Sequence, residues 1–258
     1  MTDTPKPDDE LAGTEQPFVS HLIELRDRLV RASIAVAIAF GVLAIFPGPS
    51  ALYDLLAAPL VAQLPKGSTL IATNVISPFL VPLKITLMAA FMAALPIVLY
   101  QVWAFVAPGL YSHEKKLVLP LVFSSTLLFF VGVAFCYFFV FGQVFKFIQS
   151  FAPKSITAAP DIEAYLSFVM SMFIAFGAAF EVPVIVVMLA RMGLVTVEKL
   201  REFRGYFIVV AFVIAAIITP PDVVSQLALA IPMCILYELG VFAAGYFIRY
   251  SKAPDTPE

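Results

Sequence analysis

FVSHLIELRDRLVRASIAVAIAFGVLAIF, residues 18 to 46, changes character halfway along. In its first half Leu22, Leu25 and Leu29 share one helical stripe while Glu24, Arg28 and Arg31 share another, the pattern of a helix lying half in water and half in lipid. Its second half is almost uninterrupted apolar sequence, long enough to continue as a membrane span. Arg26, Arg28 and Arg31 stand immediately before that span, and basic residues so placed hold the flank on the cytoplasmic side. Glu24 lies four residues before Arg28, the favourable order for an ion pair within a helix.

The rest of the 258 residues extends this reading. Hydrophobic residues make up 61% of the chain and charged ones only 13%, about half the usual share for a soluble domain. The chain is expected to be all-α and to cross a membrane several times. Six apolar stretches qualify, near Leu29–Phe46, Pro78–Phe105, Leu117–Phe145, Ala164–Ala190, Tyr206–Thr219 and Val223–Phe247. An even number returns both ends to one side. Of the 16 lysines and arginines only Lys66, Lys84, Lys146 and Lys154 fall on the opposite face, so both termini are expected in the cytoplasm.

Residues 1–17 are polar, acidic and proline-containing; they read as a disordered tail and lack the basic start and apolar centre of a secretory leader. Residues 18–247 form the membrane domain and 248–258 a flexible tail. Between the first two spans Leu52, Leu55, Leu56 and Leu60 recur at helical spacing, which predicts a short amphipathic helix over the outer mouth, interrupted near Pro59. Prolines 78, 82 and 96 are expected to bend the second span. After it, Pro108 and Gly109 break the helix and Ser112 is placed to cap the third span, with Glu114 in the first turn. Glu114 is thereby either an acid favoured by the helix dipole or a group with a task of its own.

Glu181 stands among apolar neighbours in the inner half of the fourth span, a depth at which a carboxylate costs at least about 2.5 kcal/mol. It must face a cavity, be protonated, meet a partner, or serve as helix-packing glue beside Gly177, Ala178 and Ala179. Pro183 is expected to kink the helix next to it. The fifth stretch, Tyr206–Thr219, offers only about 21 Å of helix against a hydrocarbon core of about 30 Å, which implies local thinning of the bilayer. Asp222 is expected to cap the sixth helix, and Gln226, a turn later, to hydrogen-bond a neighbouring helix.

Several function classes are disfavoured. Basic residues form no continuous stripe, which argues against nucleic acid. HExxH, GxSxG, P-loop, CxxC and GxGxxG patterns are absent, so an enzyme is not expected. His21 and His113 lie in separate segments with no further ligand at metal spacing, and Cys136 and Cys234 lie in apolar runs as free thiols. No metal or cofactor is implied.

Five segments together resemble one family: SHLIELRDRL at 20–29, APLVAQLPKGSTLIAT at 58–73, YQVWAFVAPGLYSHEKK at 100–116, SFVMSMFIAFGAAFEVPV at 167–184 and TPPDVVSQLALAIPM at 219–233. They are similar to TatC, the multispanning core of the bacterial twin-arginine translocase, in the same order and over nearly the whole of 18–247. The resemblance implies a cup-like bundle of six spans, with short fifth and sixth spans, in the bacterial inner membrane. It implies a receptor for folded proteins bearing an N-terminal twin-arginine signal, self-associating and working with single-span TatA and TatB subunits on the proton-motive force. By the same resemblance Glu24 and Glu114 form the signal site with Arg28 and Phe105 as neighbours, Glu181 sits on a concave lipid-facing wall, and Thr219 and Gln226 dock partner helices. Physics agrees for the signal site, since carboxylates accept the forked guanidinium in a geometry that lysine cannot reproduce. The rival expectation is a proton-coupled small-solute transporter in which Glu181 carries the proton.

Overall fold

The structure, a computed structural model, describes residues 9–61, 70–106, 118–151, 160–219 and 222–251. Helix α1 (Asp9–Ile45) runs without a break from the amphipathic stretch into the apolar one. It ends where Pro47 interrupts the backbone and Gly48, at φ +92°, takes a conformation that costs other residues strain. Pro49 then opens α2 (Pro49–Val61), a position where a missing N–H is no loss.

The sequence predicts an interruption of this helix near Pro59, and the structure corrects it: α2 continues through Pro59 to Val61. Proline cannot donate to the carbonyl four residues back, which is that of Leu55. The Tyr137 hydroxyl donates to that carbonyl at 2.9 Å instead, and the Tyr165 hydroxyl donates to the Leu56 carbonyl at 2.7 Å. Two tyrosines from other helices therefore hold the end of α2 from beneath.

Helix α3 (Ser77–Val106) keeps Pro82 and Pro96 in its interior. Next come α4 (Val118–Phe135), a five-residue π-helical turn (Cys136–Val140) and α5 (Phe141–Phe151), which together give an apolar run, Leu119–Ile148. Helices α6 (Ile162–Phe180) and α7 (Val182–Arg191) form another such run, broken at Glu181. Pro183 explains the break, because it leaves the Ala179 carbonyl without its helical donor and the Glu181 N–H turns back to the Ala178 carbonyl at 3.1 Å. Helix α8 (Val197–Glu202) is a short connector capped by Thr196. The chain closes with α9 (Arg204–Ile218) and α10 (Val223–Ser251).

Among the described residues five helical runs are long and apolar enough to cross a membrane: those of α1, α3, α4–α5, α6–α7 and α10. The 15 residues of α9 rise only about 22 Å. The expectation of a short sixth span is corrected: α10 has 29 residues, about 44 Å, because Pro232 lies inside it without ending it. Among the described residues there is no strand beyond one isolated bridge between Ile71 and Asp161.

Burial ranks these runs. Of the most apolar window in α6–α7, 61% is buried, and of that in α1, none. The centre is therefore α6, whose Val169, Met172, Phe173 and Phe176 meet Phe141 and Val144 of α5 and Leu229 of α10. Helix α1 lies outside, along α3.

Candidate functional site

Glu24 projects from the amphipathic part of α1 and is already paired: Arg28 donates to its Oε1 from Nε at 2.9 Å and from Nη2 at 2.6 Å. The i, i+4 spacing brings them together, and the Arg28 side chain is only 21% exposed. Oε2 is left facing the His21 side, with Nδ1 at 3.9 Å. The His21 ring stacks on Phe105 with centroids 4.3 Å apart and planes at 20°. Phe105 is the next-to-last residue of α3, so this stack brings the end of α3 to the acid on α1. Arg26 is engaged separately, donating to Asp27 Oδ1 at 2.8 and 3.0 Å. Glu24, Arg28 and Phe105 thus gather in one place, with His21 between them. Glu114 lies outside the described residues.

Glu181 occupies the break between α6 and α7 and is 8% exposed. The turn at Pro183 aims it inward, toward α4. The Ser125 hydroxyl lies beside it and accepts a hydrogen bond from Trp103 Nε1 at 3.0 Å. Neither carboxylate oxygen of Glu181 has a hydrogen-bond partner among the described residues.

Thr219 and Gln226 are committed within the chain. The Thr219 hydroxyl donates to the Ala215 carbonyl at 2.8 Å, and Gln226 Nε2 donates to the Phe212 carbonyl at 3.3 Å, tying α10 to α9. Asp222 Oδ1 accepts the Ser225 N–H at 2.7 Å, which fills an otherwise orphan donor at the start of α10. Beside this pair, residues of α6, α9 and α10, among them Ile174, Ala178, Ile214, Ile218 and Met233, line an apolar cavity of about 540 Å³.

The sequence reading missed a clasp at the other end of the molecule. Asp161 Oδ1 caps α6 through the N–H groups of Glu163 and Ala164, while its Oδ2 accepts the Thr73 hydroxyl at 2.6 Å and the Thr73 N–H at 3.1 Å. Glu163 continues the tie, accepting from Ser77 at 2.9 Å and from Lys84 at 3.0 Å. A signal was available in part: Pro160 and Asp161 directly before an apolar run mark a helix start. Nothing local names Thr73, 88 positions away.

This clasp carries a pH prediction. The Thr73 hydroxyl first, then the N–H groups of Ala164, Thr73 and Glu163, hold the Asp161 carboxyl down to about 2 from its ordinary 3.8. A depressed carboxyl stabilises the fold fully above its unfolded value and loses that contribution as pH falls through 3.8 toward about 2. Melting of wild type and Asp161→Asn in detergent should differ by a constant amount from pH 7 to pH 5, and the difference should shrink at pH 3. A gap independent of pH would show that the charge is not what the clasp holds.

Among the described residues no three His, Cys, Asp or Glu side chains gather as a metal site would require. What the fold defines is an all-helical protein with several helices long and apolar enough to cross a membrane. The family model described as Sec-independent protein translocase protein (TatC) matches residues 20–232. Relatives named Sec-independent protein translocase protein TatC are 51% identical over 233 residues in Escherichia coli (strain K12), covering 90% of each chain, and 53% identical over 236 residues in Halothiobacillus neapolitanus, covering 92% of this chain and 64% of that protein. A crystal structure described as twin arginine translocase receptor TatC superposes with a TM-score of 0.76 at 41% identity, covering 89% of this chain and all of that one. The chain belongs to the TatC family.

Proposed function

We propose that this protein is the receptor subunit of a twin-arginine translocase, capturing the paired arginines of a signal peptide with Glu24 and Glu114 on its cytoplasmic face. The observation that carries the reading is the seat at Glu24: a carboxylate beside Phe105, on the flank of a membrane helix, that already holds a guanidinium through two N–H donors. An incoming arginine presents the same fork. Family membership supports the substrate class, since relatives are named Sec-independent protein translocase protein and one solved structure is described as a twin arginine translocase receptor.

In this reading α9 is a sixth span, too short for an unperturbed bilayer, so that both termini lie in the cytoplasm. The thinned bilayer beside it and the apolar cavity against α6 and α10 receive the single-span TatA and TatB subunits near Thr219 and Gln226. Folded cargo then crosses at the expense of the proton-motive force. The test is photocrosslinking of a twin-arginine signal peptide to membranes carrying Glu24→Ala or Glu114→Ala. Each variant should lose capture about tenfold or more, the worth of one charge-assisted contact after solvent screening. Undiminished capture by both defeats the assignment.

A further inference from the structure

We propose that the groove between α1 and α3 seats one tail of a membrane phospholipid, whose phosphate rests on Lys84 and whose ethanolamine amine faces Glu163. The inference goes beyond the signal-site reading and does not depend on it. The two helices pack along one another and still leave a cavity of about 590 Å³ between them. On α1 it is lined from Leu29 to Phe40 at the three- and four-residue spacing of one helix face, and on α3 by a matching stripe from Leu80 to Val98. The room comes from α1, where Ala32, Ser33 and Ala37 are small. The groove is open on the lipid side, Leu29 and Leu87 being 65% and 51% exposed.

Its dimensions and its polar end identify the occupant. Leu29 to Phe40 rises about 17 Å and Leu80 to Val98 about 27 Å. A hydrocarbon core of about 30 Å is two tails deep, so one tail fits lengthwise. A protein helix about 10 Å across would fill about 1,300 Å³ over 17 Å, more than twice the space present. The lining is apolar except for Ser33 and Lys84. Lys84 stands about two turns into α3, beside the Asp161 clasp; its side chain is 45% exposed and its Nζ donates to Glu163 Oε1 at 3.0 Å. An ammonium has three N–H donors, so a phosphate can share it, and the long stem carries the charge from the groove toward the headgroup level. Two carboxylates, Asp161 and Glu163, stand at this clasp beside that one lysine, which suits a head that brings a cation of its own next to its phosphate.

The experiment places the full chain in vesicles of phosphatidylethanolamine and phosphatidylglycerol, with a trace of one or the other bearing a photoreactive tail, and maps the adducts by mass spectrometry. Adducts of the ethanolamine lipid should favour the groove stripe about fivefold over Ile38, an exposed residue of α1 outside the groove. Ala37→Phe, which fills the groove, should cut them about fivefold, and Ile38→Phe should leave them unchanged. Lys84→Gln should lower them about three- to tenfold, the scale of a charge-assisted contact after screening, and Lys84→Arg should stay within about twofold of wild type. The glycerol lipid should label the groove about threefold less. Melting in detergent checks that each variant is folded. Labelling spread evenly over the exposed face of α1, undiminished adducts in Ala37→Phe or in Lys84→Gln, or equal labelling by the two heads overturns the proposal. Loss of the adducts when single-span subunits are added would hand the groove to a protein helix and overturn it as well.

Discussion

Replacing Gly132 by valine should leave almost no folded protein in the membrane, and alanine alone should lower its melting temperature sharply. Gly132 lies in α4 where that helix crosses α6, and a Cβ added there would stand 2.5 Å from the Phe176 carbonyl oxygen and 2.9 Å from the Phe180 ring. The first of these is backbone inside a helix and cannot step aside without displacing α6, the most buried element of the bundle. Overpacking a close helix contact costs about 1–3 kcal/mol for a methylene or two, and a domain has only about 5–15 kcal/mol to lose. Valine adds a branch where one carbon already fails.

Two other glycines serve as comparisons. At Gly177 the added carbon would meet the tip of the buried Phe129 ring, which only a turn about its Cα–Cβ bond can withdraw; because that is a side chain and not helix backbone, Gly177→Ala should be milder than Gly132→Ala. At Gly142 nothing lies within 4 Å, so Gly142→Ala should match wild type or exceed it, helix interiors favouring alanine by about 0.5–1 kcal/mol. Immunoblots of membranes and melting in detergent measure all three. Equal behaviour of Gly132→Ala and Gly142→Ala would show that α4 and α6 do not meet as described.

The second large effect concerns the signal. A peptide in which both arginines are replaced by lysine should bind about a hundredfold more weakly, each lost fork costing about tenfold. Arg28 shows why: it donates to one carboxylate oxygen from two nitrogens at once, at 2.9 and 2.6 Å. An ammonium keeps the charge but has a single nitrogen, so it cannot displace such a pair on equal terms. Competition against a photoreactive arginine peptide measures the ratio. Raising salt should weaken both peptides and leave the ratio nearly unchanged, because screening acts on charge and not on fork geometry. Equal affinity at any salt concentration would remove paired-arginine recognition from the account.

How much of this could be read beforehand depended on range. The apolar runs, the proline break beside Glu181 and the shortness of α9 follow from neighbours within a few residues, where hydropathy and backbone chemistry suffice. Glu181 shows the limit. Its depth is written in the flanking residues, but whether it looks outward or toward Ser125 depends on the turn that Pro183 imposes and on which helix lies behind it. Pro59 shows another: the helix survives there because Tyr137 meets the freed carbonyl of Leu55, 82 positions before it. The Asp161–Thr73 clasp and the His21–Phe105 stack are likewise pairings between distant segments, and periodicity has no means of matching them. For the candidate site, the Glu24–Arg28 pair was legible from its i, i+4 spacing, while the His21–Phe105 stack was not.

The outlying position of α1 bears on how the molecule is made. Because its most apolar window is unburied even where α1 runs along α3, and averages a hydropathy of 2.0, lipid rather than protein supplies most of its surroundings. It can therefore partition into lipid as soon as it leaves the ribosome, fixing the topology of the nascent chain before any tertiary partner has been synthesised. The later helix α6, mostly enclosed by its neighbours, acquires its surroundings only when the others have arrived.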